Sequence, residues 1–160
     1  MTREQLSEMI LEMYTLRPDA KAYFDFFMNP DVEKLYGKCA EKIDMEFRRC
    51  KCRRSKARIS KVKAVVKDFA SFNPGSEYVV KLRLHALLSG FRAVKVFDYS
   101  HLLLDSMILF LEDSLKYADK NLVFREFVSG LEKMMRENEA VFEGVAGRII
   151  NEQCSMYNVQ

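Results

Sequence analysis

The chain has 160 residues, 49% of them apolar, which suits one packed domain. It contains six glycines and three prolines, a composition that favours helix over sheet, and it has neither an N-terminal apolar signal region nor a stretch of the ~18 apolar residues that span a membrane. Residues 48–67 hold ten of the 26 basic residues and no acidic residue, whereas the other 140 positions carry a net charge of −7.

Pro18 and Pro30 mark the boundaries between the first three predicted helices. Thr2 and Gln5 form a capping box, so the first helix is predicted to begin there and to stop before Pro18. The second helix begins at Pro18, and the aromatic run at residues 23–27 is interpreted as part of its buried face. Asn29 is the predicted N-cap of the third helix. The apolar stripe of this third helix consists of Val32, Leu35, Tyr36, Cys39, Ile43 and Phe47.

The middle of the chain is predicted to hold a loop and the most enclosed helix. Ser60 is the expected N-cap of the fourth helix, with residues 48–58 forming a helix end and a loop. A turn at residues 72–75 precedes a fifth helix, which is capped by Ser76 and ends at Gly90. This fifth helix is apolar nearly all round, so we expect it to be the most enclosed. Residues 91–97 are predicted to be a connector.

Three more helices complete the predicted all-α fold. Asp98 caps a sixth helix that runs to about Tyr117, and the seventh and eighth helices begin near Phe124 and Asn138. Connections this short favour antiparallel neighbours. We therefore predict about eight helices that pack as antiparallel hairpins in a compact or slightly curved array. One domain is expected at residues 1–155, with a frayed tail at residues 156–160.

The basic segment, residues 48–67, is the feature of the sequence that points to a partner. Its cations could bind the phosphates of a nucleic acid, or they could form a solvated segment that pairs with the acidic remainder of the chain. No aromatic residue lies between Phe47 and Phe69, so base stacking is not expected within it. The candidate anion-binding residues are Arg48, Arg49, Lys51, Arg53, Arg54, Lys56, Arg58, Lys61, Lys63 and Lys67.

The four cysteines do not match a metal-site pattern. Cys50 and Cys52 are separated by one residue, whereas zinc sites use two close pairs with two to four intervening residues. Cys39 and Cys154 would have to supply the second pair from a helix face and a tail. We predict no metal and no cofactor, and we expect free thiols in a reducing cytoplasm.

The sequence contains two histidines, one of which lies in a possible catalytic arrangement. Asp98, His101 and Asp105 share one helix face and could orient a base. However, Asp98 is a credible N-cap, and no nucleophile with a recognisable motif accompanies the three residues, so a structural role is expected. His85 lies on the enclosed fifth helix and is predicted to be a hydrogen-bonded core histidine. Without any catalytic motif, the chain is predicted not to be an enzyme.

The sequence also resembles a family of short bacterial proteins known as a domain of unknown function. The resemblance rests on residues 23–30 (YFDFFMNP), on Glu33, Lys34, Leu35 and Phe47, on the basic loop, and on residues 66–69 and 97–115. It covers roughly residues 5–150. It implies an all-α fold and a bacterial cytoplasmic setting, and it supplies no activity, cofactor or catalytic residue.

These observations predict a non-catalytic helical binding or scaffold module whose partner is another protein. The alternative is weak, non-sequence-specific binding of nucleic acid through residues 48–67. No membrane partner is expected.

Overall fold

A computed structural model describes residues 1–48, 58–97 and 101–158. Of these residues, 88% are helical and none lies in a strand, which confirms the all-α prediction. The described helices are α1 (Arg3–Leu16), α2 (Pro18–Met28), α3 (Val32–Arg48), α4 (Ile59–Ser71), α5 (Ser76–Phe97), α6 (His101–Lys120), α7 (Phe124–Glu137), α8 (Glu139–Phe142) and α9 (Val145–Asn158).

The chain divides into two compact units, Met1–Leu35 and Tyr36–Gln160. In the first unit, α1 and α2 pack against each other and are joined by Arg17, whose backbone is extended. We call residues 3–28 the N-terminal hairpin. The expectation of one domain at residues 1–155 stays a prediction, as does the frayed tail, of which residues 156–158 belong to α9.

In the second unit, α5 is the central helix. It packs against α4, α6, α7 and α8, and a helix with several neighbours is expected to be apolar on more than one face. The prediction that this helix is enclosed is confirmed. Its buried residues are Val79, Val80, Leu82, Ala86, Leu87, Gly90, Phe91 and Ala93.

The predicted end of this helix at Gly90 is wrong, because α5 continues to Phe97. Gly90 permits close packing and does not cap the helix. A Cβ at this position would lie 2.3 Å from Cε of Met107 in α6 and 3.2 Å from Cζ of Phe47 in α3. Phe91 is also buried against the ring of Phe142, so residues 91–97 extend the central helix and do not form a connector.

Several helix ends also differ from their predicted positions. The side chain of Asp31 accepts a hydrogen bond from the backbone N–H of Lys34, so it supplies the cap that was assigned to Asn29. Helix α4 begins at Ile59 without a side-chain cap, one residue before Ser60. The predicted eighth helix is divided into α8 and α9 by Gly144, whose φ of +90° is a conformation that glycine adopts without strain.

Within the described parts of the chain, no helix combines the length and the apolar character that are needed to cross a bilayer.

Candidate functional site

The N-terminal hairpin forms where the sequence predicts it. The hydroxyl of Thr2 accepts a hydrogen bond from the backbone N–H of Gln5, and the Gln5 side chain accepts one from the backbone N–H of Thr2. This capping box begins α1. Pro18 occupies the first position of α2, where its fixed φ suits a helix and its missing N–H has no cost.

Contacts near the turn hold the two helices of the hairpin together. The hydroxyl of Tyr14 donates a 2.8 Å hydrogen bond to Oδ1 of Asp25, and the rings of Tyr14 and Phe24 lie 6.5 Å apart. The ammonium group of Lys21 lies 5.4 Å from the centre of the Tyr14 ring. The hydrogen bond to Asp25 raises the pKa of Tyr14 because the un-ionised hydroxyl is the donor.

The hairpin exposes much of its apolar surface. Neither α1 nor α2 contains a buried residue, although both carry apolar residues at helical spacing. Phe27 is 71% exposed and Tyr23 is 46% exposed, so the interpretation of the aromatic run as core is wrong. Of the fifteen large apolar side chains that are exposed in the described chain, ten belong to residues 1–28. In α1 the exposed set is Leu6, Met9, Ile10, Leu11, Met13 and Leu16.

Three glutamates form an acidic stripe on α1, on a different face from the apolar stripe, which consists of Leu6, Met9, Ile10 and Met13. Glu4, Glu8 and Glu12 recur every four residues, so they share one face of the helix, and all three are exposed. The hairpin with its flanking residues 1–35 holds seven acidic and four basic residues, a net charge of −3. We define the hairpin surface as this apolar stripe of α1 together with the exposed Tyr23, Phe27 and Met28 of α2.

The basic segment is described only in part. Arg49, Lys51, Arg53, Arg54 and Lys56 lie outside the described residues, as do Cys50 and Cys52. Arg48 is the last residue of α3, and Arg58 directly precedes α4.

Two of the three lysines of α4 pair with acidic residues on different helices. The Lys61 ammonium group lies 3.7 Å from a carboxylate oxygen of Glu46 in α3, whereas that of Lys63 lies 2.5 Å from Oδ2 of Asp113 in α6. Lys67 is exposed, one turn after Lys63. The described part of the segment therefore does not present all of its cations on one face.

His85 forms a hydrogen bond, as predicted, but it is half-buried and therefore not a core residue. Its Nε2 lies 3.0 Å from Oδ1 of Asp44, which also accepts a 2.6 Å hydrogen bond from the hydroxyl of Ser89. Histidine and serine thus bind the same oxygen, and the serine hydroxyl proton is directed to Asp44. A nucleophile needs its hydroxyl proton directed to the base, so this arrangement is a helix-to-helix contact between α3 and α5.

The remaining candidates for chemistry are not brought together. Asp98 and the His101 side chain lie outside the described residues, and Asp105 is exposed on α6. Cys39 is buried and Cys154 is half-buried, and burial raises the pKa of both thiols. In the described chain, no three His, Cys, Asp or Glu residues are close enough to hold a metal ion.

Sequence reasoning missed two groups of residues. The spacing of the hairpin's apolar residues puts them on one side of each helix. Spacing does not reveal whether another part of the protein covers that side, so it could not show that these residues are exposed. Sequence reasoning also passed over Arg83, Lys116 and Lys120. These three cations come from two helices, and no charge run in the sequence marks them.

Comparison with known proteins identifies a family but not a function. A family model described as a family of unknown function (DUF6155) matches residues 1–146. No curated protein and no solved structure matches the chain.

Proposed function

The chain belongs to the family of unknown function DUF6155, and we propose that it is a non-catalytic protein-binding module. The observation that carries the proposal is the hairpin surface, where four apolar residues of α1 are each 41–44% exposed: Leu6, Met9, Ile10 and Met13. Contiguous exposed apolar surface of this kind is typical of sites that bind other proteins, and methionine adapts its shape to different partners.

The chemistry of the hairpin surface identifies the kind of partner. An apolar stripe along a helix is complementary to the apolar face of another helix. Because residues 1–35 carry a net charge of −3, the hairpin attracts a partner that carries lysine or arginine beside its own apolar face. The partner that we propose is therefore an amphipathic helix with a basic flank. The free thiols of Cys39 and Cys154 support a bacterial cytoplasmic location as part of this proposal.

The test uses three synthetic peptides of about 18 residues, or five helical turns. One is an amphipathic leucine–lysine helix, the second has the same composition in scrambled order, and the third is an amphipathic leucine–glutamate helix. We expect the full-length protein to bind the first at least about tenfold more tightly than either of the others, as measured by calorimetry. The scrambled peptide separates docking of an apolar face from simple attraction between charges.

Replacing Ile10 and Met13 together with Asp should weaken binding of the leucine–lysine peptide by at least about tenfold. These substitutions add negative charge, so binding by charge attraction alone would become tighter, and the two explanations predict opposite signs. The matched control replaces Leu109 and Met156, which are 57% and 60% exposed, with Asp. Equal affinity for the amphipathic and scrambled peptides, or tighter binding by the Ile10 and Met13 variant, would contradict the proposal.

A second candidate function is weak binding of nucleic acid through residues 48–67, and their concentration of ten cations is the observation that favours it. If four to six cations contact phosphates of duplex DNA, the slope of log K against log salt concentration should be about −4 to −5. Replacing Arg53 and Arg54 with Ala should flatten this slope by about two units for every DNA sequence. Undetectable binding at about 50 mM salt would exclude this function.

A further inference from the structure

A cleft of about 490 Å³ lies between α4, α5 and α6 in the second unit. Helices α4 and α6 each contribute a pair of lysines that are one helical turn apart. The pairs are Lys63 and Lys67 on α4, and Lys116 and Lys120 on α6. The apolar lining consists of Val66, Ala70, Phe110 and the ring of Tyr117.

The charge of this cationic cleft is strongly unbalanced. Its lining holds five cations and one carboxylate, that of Asp113, and this carboxylate already pairs with Lys63. Among the residues that the structure describes, Lys67, Lys116 and Lys120 have no acidic partner within 4 Å. Like charges that line one cleft repel each other, and a bound anion relieves this repulsion.

Arg83 of α5 is the most constrained of the five cations. Its Nη1 donates a 3.2 Å hydrogen bond to the hydroxyl of Ser114, a fully buried residue of α6. The guanidinium carbon lies 4.5 Å from the centre of the Tyr117 ring and 5.9 Å from that of Phe110. These contacts fix the orientation of the group but do not neutralise its charge.

The guanidinium of Arg83 also keeps an unused donor. Its Nε is buried and has no hydrogen-bond partner in the described chain, a state that costs free energy in a folded protein. Burial lowers the pKa of Arg83, whereas Tyr117 and Asp113 act in the opposite direction. A bound anion would supply the counter-charge that this group of cations lacks.

We propose that the cationic cleft binds a small molecule that carries a phosphate group on a flat apolar body. Phosphate is a dianion with several acceptor oxygens, and it matches an arginine fork that is flanked by lysines. The apolar body would lie against Val66, Ala70 and the two aromatic rings. The volume of the cleft lies within the range of about 300–1,000 Å³ that is usual for small-molecule sites. This inference is independent of the proposed protein-binding function.

The experiment measures binding of phenyl phosphate, inorganic phosphate and phenol to the full-length protein by calorimetry at constant ionic strength. We expect phenyl phosphate to bind with a Kd below about 1 mM, more tightly than inorganic phosphate, and phenol not to bind. Mixed-sequence duplex DNA is the fourth probe. It presents phosphates, but its flat bases are stacked inside the duplex and cannot lie against the apolar lining of the cleft.

Three variants locate the site. Arg83→Gln should weaken phenyl phosphate binding at least about tenfold, the effect of losing a charged hydrogen-bond donor. Replacing the exposed Lys116 and Lys120 together with Gln should weaken binding without disturbing the core, which keeps the test valid if Arg83→Gln fails to fold. Lys133→Gln on α7 is the matched control, since Lys133 is exposed and lies outside the cleft; it should leave binding unchanged.

Thermal unfolding gives a second readout. Phosphate raises the Tm of many proteins without binding to them, because it is excluded from protein surfaces. The informative quantity is therefore a difference: the increase in Tm that phenyl phosphate causes in the wild type, minus the increase that it causes in the Lys116 and Lys120 double variant. No binding of phenyl phosphate at millimolar concentration, unchanged binding by the double variant, or binding of duplex DNA alone would overturn the proposal.

Discussion

Leu87→Ala is expected to lower the free energy of unfolding by about 2–5 kcal/mol. Leu87 is fully buried on α5, the helix that packs against α4, α6, α7 and α8. The truncation removes apolar contacts and leaves a cavity that neighbours on several sides cannot all move to fill. Urea denaturation followed by circular dichroism measures the change.

The matched control for this substitution is Leu109→Ala. Leu109 lies on α6 and is 57% exposed, so the same truncation should change stability by no more than about 0.5 kcal/mol. A loss below about 0.5 kcal/mol for Leu87→Ala would show that α5 is peripheral, and it would contradict the fold described above.

Gly90→Leu is expected to destabilise the protein by about 1–3 kcal/mol through overpacking. The first atom of the new side chain would already lie 2.3 Å from Cε of Met107, which is fully buried and cannot move into solvent. This loss should exceed the gain of about 1 kcal/mol that leucine brings over glycine in a helix interior.

Gly37→Leu is the control for helix propensity. Apart from the neighbouring backbone of its own helix, no atom lies within 4 Å of a Cβ built at Gly37, which is exposed in α3. This variant should therefore be as stable as the wild type or more so. Shortening Met107 to Ala in the Gly90→Leu background should relieve part of the clash, and the double variant should lose less stability than the sum of the single changes. Equal stabilisation by both glycine substitutions would place Gly90 outside the packed interface.

The sequence was most informative where a helix end depends on local chemistry. The capping box of Thr2 and Gln5 and the proline at position 18 use only neighbouring residues, and both predictions are confirmed. Gly90 shows the opposite case. A glycine after an apolar run resembles a C-terminal cap, but the residue is needed because Met107 and Phe47 approach it from distant parts of the chain.

The candidate surfaces were harder to predict, for a physical reason. Residues 48–67 were identified from sequence because their charges are consecutive along the chain. The cationic cleft combines Lys63 and Lys67 with Arg83 and α6, so it exists only after three helices have packed. The hairpin has the same periodicity as a buried helix, and whether Ile10 is covered depends on its surroundings, which periodicity does not encode.

The most direct test of the proposed protein-binding function is methyl NMR of the nine methionines during titration with the amphipathic leucine–lysine peptide. Met9 and Met13 are exposed on the hairpin surface, whereas Met107 and Met134 are buried in the second unit. The proposal predicts saturable shifts of the Met9 and Met13 methyl signals, with the Met107 and Met134 signals unchanged. Unchanged Met9 and Met13 signals at saturating peptide would show that the hairpin surface does not bind an amphipathic helix, and would contradict the proposal.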